Sequence, residues 1–362
     1  MNSSERIRTT TAHREPDKVP VHINATHWVV AKLKKALLVS TDQELLRALH
    51  ADVYDMRGID LHTGTVPSYI GPENPYFPPD WGGGIFSFWH MKETENKTEA
   101  GWTLDIEPAP LGSALTLAEC KNYPWPDNDW FDYSLLRKKL EKWRDFSIMA
   151  TGGSVFQHAT YLRGMDKLMI DMMADPEMAN YILDKVFCFY YEYYLRMFEE
   201  AGDLIDVFAL ADDLGMQNTL LIGPELFDEY IAPRIRKMAD LAHHHDIKLL
   251  LHSCGNVESL IPAFIDSGVD ILDPIQPESM DPLDIKSKFG NRICLRGGVS
   301  VQNVVSRGTV EEVRAETRRI IEGLKPGGGY IFSPGHPVLQ DDIPVENILA
   351  MYETAFRYGY YE

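Results

Sequence analysis

From Asp203 to the end of the chain, short apolar runs alternate with amphipathic stretches at a steady pitch. The runs at residues 205–211, 247–252, 269–275, 293–296 and 330–333 have the length and the β-branched and aromatic content of buried strands. The stretches between and after them, 224–244, 257–267, 282–289, 310–324 and 345–358, place apolar residues at helical spacing. Five consecutive βα units predict a parallel sheet with crossover helices. So long a series favours a closed (β/α)8 barrel of the TIM type over an open sheet.

Upstream the alternation is less regular. Residues 19–24, 53–60 and 146–151 are the remaining strand candidates, with helices expected over 41–49 and 165–201. Residues 61–145 are rich in Pro, Gly and Trp, as in Trp81-Gly82-Gly83-Gly84, and lack helical spacing until 132–143. Long irregular segments inside compact domains are usually functional or packed by their own side chains. This one is expected as an elaborated insertion over the barrel mouth. No repeat, low-complexity tract or linker divides the chain, so residues 1–362 read as one domain.

Composition then excludes partners. Of 362 residues, 44% are hydrophobic, and the formal net charge is −19. That length can bury a barrel-sized core, while so acidic a surface gains nothing from phosphate backbones or anionic lipid. Neither nucleic acid nor membrane is expected as a partner. The cysteines Cys120, Cys188, Cys254 and Cys294 show no disulfide-framework spacing, and no apolar run reaches the roughly 20 residues of a membrane span. A reduced, cytoplasmic protein is expected.

Barrel chemistry gathers at strand C-termini. Those ends carry Asn24, Asp212-Asp213, His252-Ser253-Cys254, Asp273 with Gln276, Arg296, and Ser333-Pro334-Gly335-His336. In an extended strand His252 and Cys254 share one face, where Zn²⁺ accepts imidazole nitrogen and thiolate together. The pair also fits a hydrogen-bonded core histidine beside a small buried thiol, so further ligands decide between the readings. Asp212 and Asp213 are candidates to complete a metal shell, to orient His252 or to act in catalysis; an N-cap beside a solvated acid is the plainer alternative. Gln276 and Arg296 suit an anionic or oxygenated substrate, or a rim hydrogen-bond network. Asn24 and His158 are further candidates for substrate contact.

The segments Leu250-Leu251-His252-Ser253-Cys254-Gly255-Asn256, Gly268-Val269-Asp270, Gly297-Gly298-Val299 and Phe332-Ser333-Pro334-Gly335-His336 resemble the uroporphyrinogen decarboxylase superfamily. The true decarboxylases carry Arg-Gln-Ala-Gly-Arg after the first strand to hold substrate carboxylates. Here that place reads His22-Ile23-Asn24-Ala25-Thr26-His27-Trp28, without arginine. The closer resemblance is to the cobalamin-dependent branch of methylcobamide:coenzyme M type methyltransferases, marked by His-x-Cys on the fifth strand and cysteine on the last. The resemblance implies Zn²⁺ held by His252, Cys254 and a third residue, and a corrinoid (cobalamin) on a separate partner protein. At the last position His336 replaces cysteine. It reads as a metal ligand or catalytic residue, or as the substrate-binding histidine of the decarboxylases.

Other motifs carry less. His243-His244-His245 ends a helix, where cationic side chains suit the dipole, and Gly327-Gly328-Gly329 precedes a strand, which makes it a turn. The Tyr190-Tyr191-Glu192-Tyr193-Tyr194 run reads as packing or a subunit contact, leaving a homodimer open. Cys294 reads as core. The expectation is a zinc-dependent methyltransferase acting between a small methoxylated or methylated compound and a corrinoid protein. A metal-free decarboxylase and a non-catalytic ligand-binding barrel are the alternatives.

Overall fold

The computed structural model describes residues 1–60, 64–73, 87–91, 93–98, 101–106, 109–336 and 338–362. Seven parallel strands, Val53–Asp55, Ser147–Thr151, Val207–Ala211, Lys248–His252, Ile271–Ile275, Cys294–Val299 and Tyr330–Pro334, each pair with the next in chain order. Residues 20–25 close the ring as the first strand. On one side Phe332 donates its N–H to Pro20 O at 2.8 Å and His22 donates to Phe332 O at 3.0 Å; on the other, Asp52 donates to Val21 O at 2.7 Å. The alternation expected after Asp203 is therefore an eight-stranded barrel with its helices outside.

Several elements differ in extent from the expectation. The helix expected over 165–201 is two, Met165–Ala174 and Pro176–Ala201. The Asp175 carboxylate accepts the Met178 N–H, and Pro176 stands in the first turn, where its missing N–H costs no hydrogen bond. The second strand stops at Asp55 instead of running to Asp60, because the chain folds back so that the Arg57 N–H reaches the Asp55 carboxylate at 2.9 Å. The helix expected over 224–244 includes a π-helical stretch at Phe227–Ile231 ahead of Ala232–His244. Helices Ser3–Thr11, His27–Leu37 and Phe156–Arg163 had no counterpart in the sequence pattern.

The first of these closes the barrel floor. Ile7 joins Val53, Met149, Val207, Ala209, Leu250, Ile271, Cys294 and Ile331 in one buried cluster, which places Cys294 in the core as expected. Ser3–Thr11 is held under the floor by the acids that precede two strands. Arg6 spans Asp17, at 2.7 Å, and the buried Asp52, while Ser4 and Arg8 both bind Asp206. Arg6→Met should destabilise the fold by about 3 kcal/mol, the lower end for breaking a buried pair, because Lys18 still reaches Asp52. Chemical denaturation followed by circular dichroism measures this, and an unchanged midpoint would show the plug to be dispensable.

Within 61–145, residues 61–63, 74–86, 92, 99–100 and 107–108 lie outside the described residues, Trp81 to Gly84 among them. Of the rest, Glu93–Thr98 pairs antiparallel with Gly101–Ile106, and Ser68–Tyr69 with Phe131–Asp132. Phe88, Trp89 and Phe131 pack on Phe189 of the long helix Pro176–Ala201. The described part of the segment thus packs through aromatic side chains, which leave no periodic trace in sequence. No helix among the described residues is long and apolar enough to cross a membrane.

Candidate functional site

Side chains alternate along a strand, so the residue two beyond each floor position points into the barrel one layer higher. Starting from Val53, Met149, Ala209, Leu250, Ile271, Cys294 and Ile331, that step gives Asp55, Thr151, Ala211, His252, Asp273, Arg296 and Ser333. His22 on the first strand completes the layer, in register with Ser333 through the bonds of its neighbour Phe332. An apolar floor therefore passes within one residue pair to an almost wholly polar ring, and His252 belongs to that ring.

His252 is held from below. Its Nδ1 lies 2.7 Å from Oδ2 of the buried Asp273, whose other oxygen stands 3.1 Å from Arg296 Nε. This fixes the imidazole and turns Nε2 upward, 3.5 Å from Asp213 Oδ1 and 3.5 Å from Cys254 Sγ. One ligand atom each from Asp213, His252 and Cys254 lies within 4.8 Å of the others. Asp213 is itself fixed, accepting the Cys254 N–H at 2.9 Å and the Gln157 side-chain amide at 2.9 Å. Gln276 Oε1 accepts the Gly255 N–H at 3.0 Å and so holds the loop that carries Cys254. Gly255 has φ of 84°, and a Cβ there would lie 2.5 Å from Gly215 C, so the two loops press together in a way only glycine permits.

The electrostatics suit a positive charge between these groups. Burial works against protonating His252, but Cys254, Asp213 and Asp273 together hold its pKa well above the ordinary histidine value. Burial works against ionising Asp213, and His252 with the hydrogen bonds from Cys254 and Gln157 outweighs it, holding the carboxyl down at about 2. An imidazole flanked by two carboxylates and a thiol fits a divalent cation with N, O and S donors, the set Zn²⁺ favours.

The other sequence candidates fall in different places. Asp212 points away from the cluster: its carboxylate accepts the Val155 and Gln157 N–H groups at 3.1 and 2.8 Å, at the start of helix Phe156–Arg163. Burial pushes it up to about 7. His336 lies beside the cluster, near enough for its charge state to couple to His252, Asp273 and Asp213; burial lowers its pKa, and its Nδ1 is 3.1 Å from Val338 O. With Gln276, Glu278, Gln302 and Arg307 it lines a cavity of about 350 Å³ beside the mouth. Arg296 is committed to Asp273, and Asn24 to Asp55 at 3.4 Å. His158 is enclosed by Trp89, Tyr161 and Tyr190, and burial pushes it down to about 3. His243 pairs with Asp270 at 2.7 Å, which accounts for the first member of the histidine tract at the opposite, N-terminal end of the strands. Asp273 is legible in the sequence as a strand-end carboxylate but not as the partner of His252, and Gln157 and His22 carry no such mark; the step of two from the floor positions is the signal that places Asp273 in the ring.

Comparison with known proteins agrees with this architecture. A solved methyltransferase from Methanosarcina mazei superposes over 99% of both chains with a TM-score of 0.69 at 18% identity. The methylcobamide:CoM methyltransferase MtbA of the same organism is 26% identical over 207 residues, covering 57% of this chain and 56% of that protein. The uroporphyrinogen decarboxylase of Pseudoalteromonas translucida is 24% identical over 263 residues, covering 67% of this chain and 70% of that one. The chain thus matches about half the length of the methyltransferase relative. The family model of uroporphyrinogen decarboxylase (URO-D) matches residues 133–358. With more than half its length so matched, the chain belongs to the uroporphyrinogen decarboxylase family.

Proposed function

We propose that this protein is a zinc-dependent methyltransferase that moves a methyl group between a small methoxylated or methylated compound and a corrinoid carried by a separate protein. The observation that carries the reading is the convergence of Asp213, His252 and Cys254 above a buried Asp273 that fixes the ring of His252. Such a carboxylate behind a histidine is the usual support of a metal-binding imidazole. The methyltransferases among the relatives point the same way. Bound by these three side chains, zinc would supply a Lewis acid to the heteroatom that bears the methyl group.

The chain's own groups divide the remaining work. Asp213, tied to Gln157 and the Cys254 amide, keeps the donor set in place before any metal arrives. Asp212 positions the Gln157 arm through its grip on the backbone of helix Phe156–Arg163. With Nδ1 bonded to Val338 O, His336 would leave Nε2 to act as an acceptor beside the donor cluster. Gln276 orders the Cys254 loop, Arg296 belongs to the polar ring below, and Asn24, two residues beyond His22, bonds Asp55 of that ring. Porphyrinogen decarboxylation suits this ring less well, since several substrate carboxylates need free guanidinium groups and Arg296 already faces Asp273.

The test is metal analysis of the purified protein followed by turnover. About one zinc per chain is expected, together with methylation of added cob(I)alamin from a methoxylated phenol or a methylated thiol. Protein free of zinc after growth in zinc-replete medium, and inert toward every donor, would overturn the reading.

A further inference from the structure

The polar ring contains more hydrogen-bonding capacity than it uses. Among the described residues, His22, 1% exposed, has a partner for neither ring nitrogen, and the fully buried Ser333 has none for its Oγ. Arg296, 3% exposed, places Nε toward Asp273 and NH1 only against the sulfur of Met149 at 3.8 Å. Buried polar side chains are nearly always paired in native interiors, and those left over mark a missing water or ligand. These leftovers are neighbours: His22 and Ser333 are in register on adjacent strands, and His22 is within electrostatic reach of Arg296.

We propose that the barrel axis below the metal centre is a buried subsite for an uncharged oxygen-bearing group of the methyl donor, a hydroxyl or an ether, with His22, Ser333 and Arg296 as its partners. The proposal rests on the methyltransferase reading for the word donor; the subsite itself rests on the unpaired atoms. Their chemistry selects the ligand class. Burial and the neighbouring guanidinium keep His22 neutral, so its ring offers one donor and one acceptor. Ser333 offers either. Arg296 adds donors, but its charge is met by Asp273, leaving no cation free in the ring for a carboxylate or sulfonate. A hydroxyl, both donor and acceptor, matches this set; an anion does not. The ring also includes His252, so a molecule seated there directs its remaining atoms toward the metal ligands.

Calorimetric titration of the zinc-loaded protein with catechol, 2-methoxyphenol and 2-methoxybenzoate tests the subsite without turnover. Catechol and 2-methoxyphenol are expected to bind wild type, and 2-methoxybenzoate at least tenfold more weakly. His22→Phe, which removes both hydrogen-bonding nitrogens, and Ser333→Ala, which removes one hydroxyl with little strain, should each weaken catechol by roughly tenfold or more with zinc content unchanged. Catechol binding lost on these substitutions in a protein that transfers no methyl group would leave the subsite standing and remove the methyltransferase reading. Methyl transfer with unchanged KM in both variants would do the reverse. Failure of catechol to bind wild type, with only water at His22 and Ser333 in a crystal soaked with it, overturns the subsite.

Discussion

Cys254→Ser is expected to strip the metal while leaving the fold intact. A serine hydroxyl is a poor zinc ligand at neutral pH, whereas the thiolate is among the best. Loss of even supporting residues costs metal sites about 10–100-fold in affinity, so losing a direct ligand should cost more than about 100-fold. Cys254 is half-buried in a loop above the barrel, not in its core, so unfolding free energy should shift by no more than about 0.5 kcal/mol for the metal-free protein. Competition against a chromophoric chelator gives the affinity, and circular dichroism the fold. Asp213→Ala should behave similarly if Asp213, whose carboxylate converges with His252 and Cys254, is the third ligand of the proposed site. His336→Ala should retain zinc and lose methyl transfer, since His336 stands beside the donor cluster. The opposite partition, with zinc lost from His336→Ala and kept by Asp213→Ala, would restore His336 as the third ligand, and full zinc in Cys254→Ser would place the site elsewhere.

Asp273→Ala should be the most damaging single change to both fold and site. The carboxylate is 1% exposed and sits between Arg296, itself 3% exposed, and His252. Removing it leaves a buried guanidinium without a counter-charge, which costs about 3–5 kcal/mol in comparable pairs. It also frees the His252 ring, which should lower zinc affinity by a further 10–100-fold or so. Asp273→Asn retains the shape and a hydrogen-bond acceptor for Nδ1–H, so it should keep more of the metal affinity than of the stability. Adding Arg296→Met to Asp273→Asn removes the orphaned charge and should recover part of the lost stability, as a double-mutant cycle would measure. If Asp273→Ala melts like wild type and binds zinc normally, the support assigned to His252 is wrong.

His252 and Cys254 were legible because the chemistry was local. His-x-Cys at the end of an apolar strand keeps both side chains near one rim, although Cys254 lies in the loop just beyond the strand and is held there by Asp213 and Gln276. The third donor was not fixed in this way. Asp213 reaches the cluster because the loop after the fourth strand folds over the Cys254 loop, with Gly255 against Gly215. Asp212, its neighbour and equal in sequence, is turned under helix Phe156–Arg163 instead. Nothing in two adjacent aspartates says which will face the site; the backbone direction after strand Val207–Ala211 decides it.

What the sequence determined by itself was therefore periodic or local: the alternation of strands and helices that makes the barrel, the strand ends as the place for chemistry, and the His252 and Cys254 pair. Tertiary structure decided what depends on residues far apart in the chain. The helix Ser3–Thr11 finds its place only because Asp52 and Asp206, each preceding a different strand, converge beneath the floor. Asp273 acquires its role only when strand pairing sets it beside His252. His22, at the start of the chain, meets Ser333 near its end only because hydrogen bonds to Phe332 close the ring. Those pairings form by closing long loops, so their partners are fixed by the geometry of the finished barrel and not by any spacing along the chain.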